Sequence, residues 1–312
     1  MLISICIPAY KHTGYLKRLL DSIHHQSFRE FEVIVTDDSP DESVRELTEA
    51  YKMKFKLVYK RNIPALGTPE NWNEAIRYAS GQWIKLMHDD DWFSDSASLA
   101  RFTEAVRQHP WCNFFFSAYT NVYQDSNKRE SVYLSEFRKR KLLSNPVTLI
   151  SKNVIGPPSV ILFRNEKKMW FDSRFKWVVD IDYYIRFLQN EKPVYLNETL
   201  INVGVNNDQV TKYTFRVPEV EIPENFGLLE KTGIKHLHNL LIYDAWWRIV
   251  RNLRIGHVSD IRKNGYAGNI HPVIRRMIEW QSKIPAQLLK KGIISKTIMF
   301  VHFLVYRRLL NT

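Results

Sequence analysis

Four consecutive polar residues, His88-Asp89-Asp90-Asp91, follow directly on the apolar stretch 83–87. A buried strand that ends in three carboxylates concentrates negative charge at one edge of a sheet. Neighbouring carboxylates raise one another's pKa and cost stability unless a cation shares them. Divalent cations such as Mg²⁺ and Mn²⁺ prefer oxygen ligands of this kind. A solvated acidic loop or a helix N-cap explains the triplet equally well. The triplet alone therefore does not distinguish a cation site from these alternatives.

The composition is that of a folded protein. The chain has 312 residues, 45% of them hydrophobic, which suffices for one large α/β domain or a domain with an appendage. Its two cysteines, Cys6 and Cys112, lie in separate apolar stretches. They indicate core packing in a reducing compartment rather than a disulfide framework or a zinc site. Because strand-like residues begin at Leu2, we expect no secretory leader.

The positive charge lies at the C-terminal end of the chain. From Lys235 onward, 14 lysines and arginines stand against three acids, a balance of +11, so residues 1–234 carry only +1 of the total of +12. This asymmetry predicts two parts with different roles.

Strand-like and helix-like patterns alternate through the first half of the chain. The alternation predicts an α/β fold with a Rossmann-like, mainly parallel mixed sheet, helices on both faces and an additional C-terminal α-helical region. Ligands of such sheets bind at the carboxyl ends of the strands. Three groups are expected at those ends: Pro8-Ala9-Tyr10, Asp37-Asp38 and the aspartate run.

We divide the chain at residue 215. Residues 1–215 are predicted to form the main domain, in two halves, 1–118 and 119–215. Within the second half, the polar stretch 119–155 is expected to be an irregular excursion. Residues 216–312 are predicted to be a basic, amphipathic helical region.

The C-terminal region predicts attachment to a membrane surface. Its longest nearly uncharged stretch, 297–306, would rise only about 15 Å as a helix, whereas a bilayer core is about 30 Å thick. It is too short to span. A helix in the membrane interface, with lysines and arginines near lipid phosphates, fits better. The alternative is an ordinary helical subdomain that packs on the core.

Five segments in the expected order resemble the family 2 glycosyltransferases, inverting enzymes of the GT-A fold that use nucleotide-sugar donors. The resemblance covers roughly residues 2–215, and Lys11 stands where the family usually has Asn. It implies that 1–118 is the nucleotide-binding half of this domain and 119–215 the acceptor-side half. The segments are 3–11, 26–39, 71–75, 79–84 and the aspartate run. The resemblance implies that six residues contact the donor. These are Pro8, Ala9, Tyr10, Asp38, Asn73 and Asp89.

Some of these assignments have alternatives. Asp38 would accept a hydrogen bond from the base, whereas Asp37 would brace the loop. Pro8 and Tyr10 would wall the nucleotide site, although Tyr10 could instead be a core aromatic.

For the metal, the resemblance places His88 and Asp90 at the two positions of the usual Asp-x-Asp motif. Asp90 is then the ligand of Mn²⁺ or Mg²⁺, and Asp89 supports it through the ribose or bound water. For His88, metal coordination, a phosphate contact and a bracing role all remain open.

Asp180 matches the family's general base, with Val179 in place of the preceding Glu. Asp182 is the second candidate, and either carboxylate could instead cap the helix that follows. A later segment, 203–211, resembles one in which the family often carries a His near the diphosphate. Asn206 and Asn207 occupy that region here, and Gln209 and Thr211 are candidate loop contacts.

These residues predict an inverting, metal-dependent glycosyltransferase. It would move a sugar from a UDP-, dTDP- or GDP-linked donor to a hydroxyl of a glycan or lipid-linked glycan, while attached peripherally to the inner, cytoplasmic face of the cell membrane. The alternative is a non-catalytic, membrane-associated protein with a transferase-like fold. A nucleic-acid partner is disfavoured because the basic residues lie in apolar-rich helices without a recognised motif. A dinucleotide oxidoreductase is disfavoured because Pro8-Ala9-Tyr10 replaces the Gly-rich turn.

Overall fold

The computed structural model describes residues 1–126, 128–206 and 215–311. The strands in these ranges, numbered along the chain, are β1 (Ile3–Ala9), β2 (Phe31–Asp37), β3 (Leu57–Arg61), β4 (Trp83–Leu86), β5 (Trp92–Phe93), β6 (Phe114–Tyr123), β7 (Arg129–Val132), β8 (Ile161–Arg164) and β9 (Val194–Val205). The α-helices are Thr13–His24, Ser43–Glu49, Glu70–Tyr78, Ser98–Gln108, Glu136–Ser144, Val179–Leu188, Pro218–Thr232, Leu240–Asn252, Val258–Lys263, Pro272–Ser282, Ala286–Lys290 and Gly292–Tyr306.

The strands form one mixed sheet in the order β3-β2-β1-β4-β8-β6-β9-β5, with β7 paired to β6. The first four strands of this order, β3 to β4, are parallel to one another. All seven residues of β1 and of β2 are buried, which is why both read as nearly continuous apolar runs. The predicted α/β fold, with a mainly parallel sheet in its first half, is confirmed.

The second half of the sheet departs from the expected pattern. β8 is antiparallel to both of its neighbours, β4 and β6, whereas β6 and β9 are parallel. The expectation of an irregular excursion at 119–155 is wrong. β6 runs on to Tyr123, β7 pairs with it, and Glu136–Ser144 is a helix. The polar sequence concealed this order because β7 is almost entirely polar and the end of β6 pairs with the distant strand β9.

The chain consists of two compact units. The first comprises Met1–Leu143, Val154–Ser173 and Arg186–Gln209, and it contains the sheet. The second comprises Ser144–Asn153, Arg174–Ile185 and Val210–Thr312. The division at residue 215, and that between 1–118 and 119–215, remain predictions.

The core of the second unit is helical and rich in aromatic residues. Trp246 and Trp247 of the helix Leu240–Asn252 are almost fully buried, and the ring of Trp246 packs edge-on against Phe226 at 5.0 Å. Buried Glu224 accepts hydrogen bonds from three successive backbone N–H groups at 176–178. These bonds fix the turn that leads into the helix Val179–Leu188.

The turn after β1 adopts an unusual backbone conformation. Lys11 has φ of 63°, in the left-handed region that side chains other than Gly, Asn and Asp disfavour. Its N–H donates to Ser39 Oγ at 2.7 Å, which holds this turn against the end of β2. The Asn expected at this position therefore has a conformational explanation, and Lys11 costs stability here.

Lys11→Asn is expected to raise the free energy of unfolding by about 1 kcal/mol, because Asn tolerates the left-handed conformation. Urea denaturation followed by circular dichroism measures the change. Lys11→Ala is the control, since it removes the side chain and leaves the backbone strain in place. Equal stabilisation by both substitutions would contradict this explanation.

Candidate active site

The aspartate run begins where β4 ends. The four residues of β4 are buried, and the N–H of Met87 donates to Cys6 O at 2.9 Å just beyond it. The chain then turns, with the N–H of Asp91 donating to His88 O, before β5 pairs with β9. The acids thus lie at the carboxyl edge of the parallel strands, as the sequence predicted.

Three side chains of this turn converge. One ligand atom each from His88, Asp90 and Asp91 lies within 4.8 Å of the other two. Asp90 Oδ2 accepts from Asn206 Nδ2 at 2.9 Å, and Asp91 Oδ1 accepts from the N–H of Gly204 at 3.0 Å. Among the described residues, the buried His88 Nε2 and Asp91 Oδ2 have no hydrogen-bond partner. A divalent cation fits this cluster, because it would give both atoms a partner and would stabilise the ionised form of the carboxylates.

The electrostatics of the turn also favour a cation. Burial, followed by the neighbouring Asp90, raises the pKa of Asp89 to about 7 and the pKa of Asp91 well above its ordinary value. Burial lowers the pKa of His88, so the imidazole stays neutral, the form that binds metals. The acids therefore repel one another in a setting where solvent screens them poorly.

A buried lysine partly offsets this repulsion. Lys85 of β4 is fully buried, and its Nζ donates to Ser159 O. The amine lies 5.8 Å from the ring centroid of Phe93, and burial lowers its pKa to about 7 against the opposing effect of Asp91. Ser159 Oγ accepts from the N–H of His88 at 2.9 Å, so Ser159 holds both Lys85 and His88 in place.

The main chain of Asp90 is held from two sides. A Cβ on Gly204 would lie 2.4 Å from Asp90 O, so β9 can approach this closely only with Gly at that position. Arg18 Nη2 donates to the same carbonyl at 2.7 Å, and its guanidinium stacks 3.6 Å from the Trp92 ring centroid. Both contacts fix the direction in which the Asp90 carboxylate points.

Sequence reasoning did not single out Asp91, Arg18, Ser159 or Gly204. A glycine inside a strand is a recognised sign of close backbone approach, so Gly204 carried a usable signal. Arg18 and Ser159 carried no such signal in the sequence, because only the tertiary fold brings them into contact with the turn at 88–91.

Asp38, predicted to contact the nucleotide base, holds the loop after β3. Its Oδ1 accepts from Asn62 Nδ2 and the N–H of Leu66, and its Oδ2 accepts from the N–H of Gly67 at 2.8 Å. A carboxylate offers about four acceptor positions, so one remains for a ligand. Asp37 accepts from the N–H of Ser39 and from Tyr59 Oη, in agreement with the bracing role expected of it.

The end of β1 connects the two groups of acids. Pro8 and Ala9 are buried, and Ala9 O accepts from the N–H of Asp38. Tyr10 is 48% exposed, so it is not a core aromatic, and its N–H donates to Asp89 Oδ2 at 3.2 Å. Asp89 therefore lies beside Tyr10, outside the convergent cluster. The predicted contacts of these residues with a nucleotide sugar stay predictions.

Asn73 lies on the helix Glu70–Tyr78 and is almost fully buried. Its side chain exchanges two hydrogen bonds with the backbone of Phe171, at 2.9 Å each, and donates to Glu70 Oε2. This amide fastens a distant segment to the helix. Its predicted role in donor binding stays a prediction.

Asp180 and Asp182 lie in the second unit, in the first turn of the helix Val179–Leu188. Buried Asp182 forms an ion pair with Lys231 Nζ at 2.5 Å. Half-buried Asp180 accepts from Asn153 Nδ2 and from the N–H of Ile181, each at 2.8 Å. Burial raises the pKa of Asp180 to about 6 in spite of these hydrogen bonds. A carboxylate with this pKa accepts a proton near neutral pH more readily than an ordinary one.

Of the late segment, the structure describes 203–206 only. Asn206 donates to the predicted metal ligand Asp90. The other predicted contacts there, Asn207, Gln209 and Thr211, lie outside the described residues.

Solved structures share this architecture. TarS 1-349 of S. aureus, crystallised with UDP-GlcNAc, superposes with a TM-score of 0.57 at 15% identity, over 99% of this chain and 92% of that one. The mannosyltransferase PcManGT of Pyrobaculum calidifontis, in complex with GDP-Man and Mn²⁺, gives 0.55 at 14% identity, over 98% and 86%. Both likenesses support the GT-A fold predicted from sequence.

Sequence relatives agree with this assignment. The abequosyltransferase RfbV of Salmonella typhimurium is 28% identical over 142 residues, which are 44% of this chain and 39% of RfbV. The first curated relatives are matched over 39 to 67% of their own length. Residues 4–168 match the sequence family described as Glycosyl transferase family 2. That match covers more than half of the chain and includes every residue discussed from β1 to β8, so the chain belongs to glycosyltransferase family 2.

Proposed function

We propose that this chain is an inverting, metal-dependent glycosyltransferase that moves a sugar from a nucleotide-sugar donor to a hydroxyl of a glycan or lipid-linked glycan. The observation that carries the proposal is the convergence of His88, Asp90 and Asp91 at the carboxyl ends of the strands. The hydrogen bond from the Tyr10 N–H to the carboxylate of Asp89, the residue between His88 and Asp90, supports a common site with the predicted donor residues at the end of β1.

In the proposal, His88, Asp90 and Asp91 hold Mn²⁺ or Mg²⁺. His88 Nε2 and Asp91 Oδ2 have no hydrogen-bond partner in the part of the chain that the structure describes, and this supports the assignment together with the raised pKa of Asp91. The Mn²⁺ of the PcManGT complex supports it by likeness of fold. When bound, the cation would offset the charge that develops on the departing diphosphate. Asn206 and Arg18 orient Asp90 for this task.

Asp180 is the proposed general base. An acceptor oxygen forms a bond to the anomeric carbon while the bond from that carbon to the diphosphate oxygen breaks. The hydroxyl proton passes to the Asp180 carboxylate, and the electron pair leaves with the nucleoside diphosphate, so the anomeric configuration inverts. Asp182 is the weaker candidate, because its charge is already paired with Lys231.

The donor nucleotide is proposed to be UDP, dTDP or GDP, since the similar structures were solved with UDP-GlcNAc and GDP-Man. The acceptor is proposed to be a surface glycan or its lipid-linked precursor, which the likeness to an abequosyltransferase supports. Such an acceptor would place the enzyme on the cytoplasmic face of the cell membrane, attached peripherally through the region 216–312. No helix within the described ranges has the length and hydrophobicity to cross a bilayer.

Asp90→Asn is expected to abolish the metal-dependent part of donor binding. For the wild type, UDP-GlcNAc or GDP-Man with Mn²⁺ should raise the melting temperature more than either alone, because a ligand that binds only the folded state stabilises it. The variant should lose this extra shift. The same change at an exposed carboxylate, Glu104→Gln, is the control. If Asp90→Asn retained the full shift, the metal assignment would be wrong.

Asp91→Asn distinguishes the convergent cluster from a site built on Asp90 alone. If Asp91 is a ligand, the affinity for Mn²⁺, followed by titration of the Mn²⁺ electron paramagnetic resonance signal, should fall by about 10- to 100-fold. Unchanged affinity would remove Asp91 from the site and leave Asp90 and His88.

Asp180→Asn is expected to reduce transfer by about 10²- to 10⁴-fold, the usual contribution of a general base, while donor binding is unchanged. Release of nucleoside diphosphate in the presence of acceptor measures transfer. Asp182→Asn is the matched comparison on the same helix turn. A larger loss of transfer in Asp182→Asn, with both variants folded, would reassign the base.

The activity should depend on pH through Asp180. Its pKa is raised to about 6, so the carboxylate is ionised above this pH and protonated below it. The kcat/KM should be constant above about pH 7 and fall about tenfold per pH unit below about pH 6. A profile that is flat down to pH 5 would contradict the assignment.

A further inference from the structure

The C-terminal helix Gly292–Tyr306 has a buried inner side and an opposite side that exposes large apolar residues. Its inner side packs on the second unit, where Ser295, Met299, His302 and Phe303 are buried. Trp247 Nε1 donates to Ser295 Oγ at 3.1 Å, and Tyr243 Oη lies 2.7 Å from His302 Nδ1. These buried polar contacts fix the rotation of the helix about its axis. The opposite side therefore cannot turn inward.

We call this opposite side the outer face. It includes five large apolar residues whose exposed fractions are between 44% and 85%. Successive members are 7, 1, 3 and 1 residues apart in the sequence. They are Ile293, Phe300, Val301, Leu304 and Val305. From first to last they extend about 18 Å along the helix. Thr297 is the polar residue on this face, between Ile293 and Phe300. A water-soluble surface helix normally carries mostly polar residues on such a face, so a group of exposed apolar side chains there indicates a binding surface.

The charged residues within the helix Gly292–Tyr306 and directly next to it in sequence are all positive. Lys290 and Lys291 precede the helix, Lys296 lies in its second turn, and Arg307 and Arg308 follow it; all five are exposed. No acidic residue follows Glu279 in the sequence. A second copy of this chain would bring the same positive charges against them, whereas an anionic surface would neutralise them.

We infer that the outer face docks onto a membrane rich in anionic phospholipid, with its apolar side chains among the upper acyl carbons and its lysines and arginines at the lipid phosphates. A stripe about 18 Å long suits a helix that lies in the interface and is too short to cross it. The biological role of this docking rests on the proposed function, because docking would hold the enzyme at the membrane surface where a lipid-linked acceptor resides.

Sedimentation with sucrose-loaded vesicles tests this docking. The full chain is expected to bind vesicles of phosphatidylglycerol and phosphatidylcholine, to bind pure phosphatidylcholine weakly, and to dissociate as salt is raised. The double substitution Phe300→Ser and Leu304→Ser should weaken binding by roughly tenfold or more, because it removes inserted carbon atoms. Met53→Ser, at a residue 96% exposed in the first unit, should leave binding unchanged.

A second variant tests the contribution of the positively charged side chains. Replacing Lys290, Lys291 and Lys296 with Gln should weaken binding to anionic vesicles by about fivefold per residue and leave binding to neutral vesicles unaltered. The same substitutions at Lys52, Lys54 and Lys60 control for net charge. Equal losses in both triple variants would mean general electrostatic adsorption and would overturn a defined docking surface.

Two further outcomes would overturn the inference. One is failure of the wild type to bind anionic vesicles. The other is a concentration-dependent dimer, measured by light scattering, that the Phe300 and Leu304 substitutions abolish, since that would assign the face to a second copy. The melting shift with Mn²⁺ and nucleotide sugar is measured on the same variants. A normal shift in a variant that does not bind vesicles separates failure of docking from failure of the proposed function.

Discussion

The repulsion among acids packed at the end of β4 constrains much of the surrounding structure. A fully buried strand delivers these side chains to the sheet edge, where solvent screens their charges poorly. Fixed dipoles and two basic side chains offset this repulsion. The N–H of Gly204 and the amide of Asn206 bind Asp91 and Asp90. The guanidinium of Arg18 and the buried amine of Lys85 interact with the same acids. β9 must therefore cross close to the turn, and this is why a glycine occupies position 204.

How much of the fold could be predicted from the sequence depends on how far apart in the chain the interacting residues lie. The parallel half of the sheet could be predicted from local patterns. β1 and β2 are buried throughout, and the apolar residues within them indicate this burial. The antiparallel half did not, since β8 lies between strands that are distant in sequence and β7 is almost entirely polar. The irregular excursion expected at 119–155 failed for the same reason.

The candidate site shows the same division. The aspartate run could be located at a strand end from sequence, and a carboxyl edge collects such residues in any parallel sheet. Which of its members converge could not be predicted, because Asp89 turns toward Tyr10 whereas Asp91 turns toward β9. Likewise, Asp180 and Asp182 look equivalent in sequence. A lysine 49 positions away pairs with Asp182, and only the fold brings it there.

The loop after β3 has a consequence for how a ligand would be received. Three donors from residues 62–67 hold the Asp38 carboxylate, and Arg61 reaches back to Ser39 O at the end of β2. The protein's own hydrogen bonds therefore hold this loop, and its conformational entropy is lost during folding. A molecule that binds at this edge does not have to order the loop again, so more of its contact free energy remains as affinity. Loss of any one of these hydrogen bonds would therefore weaken binding through the loop that it holds.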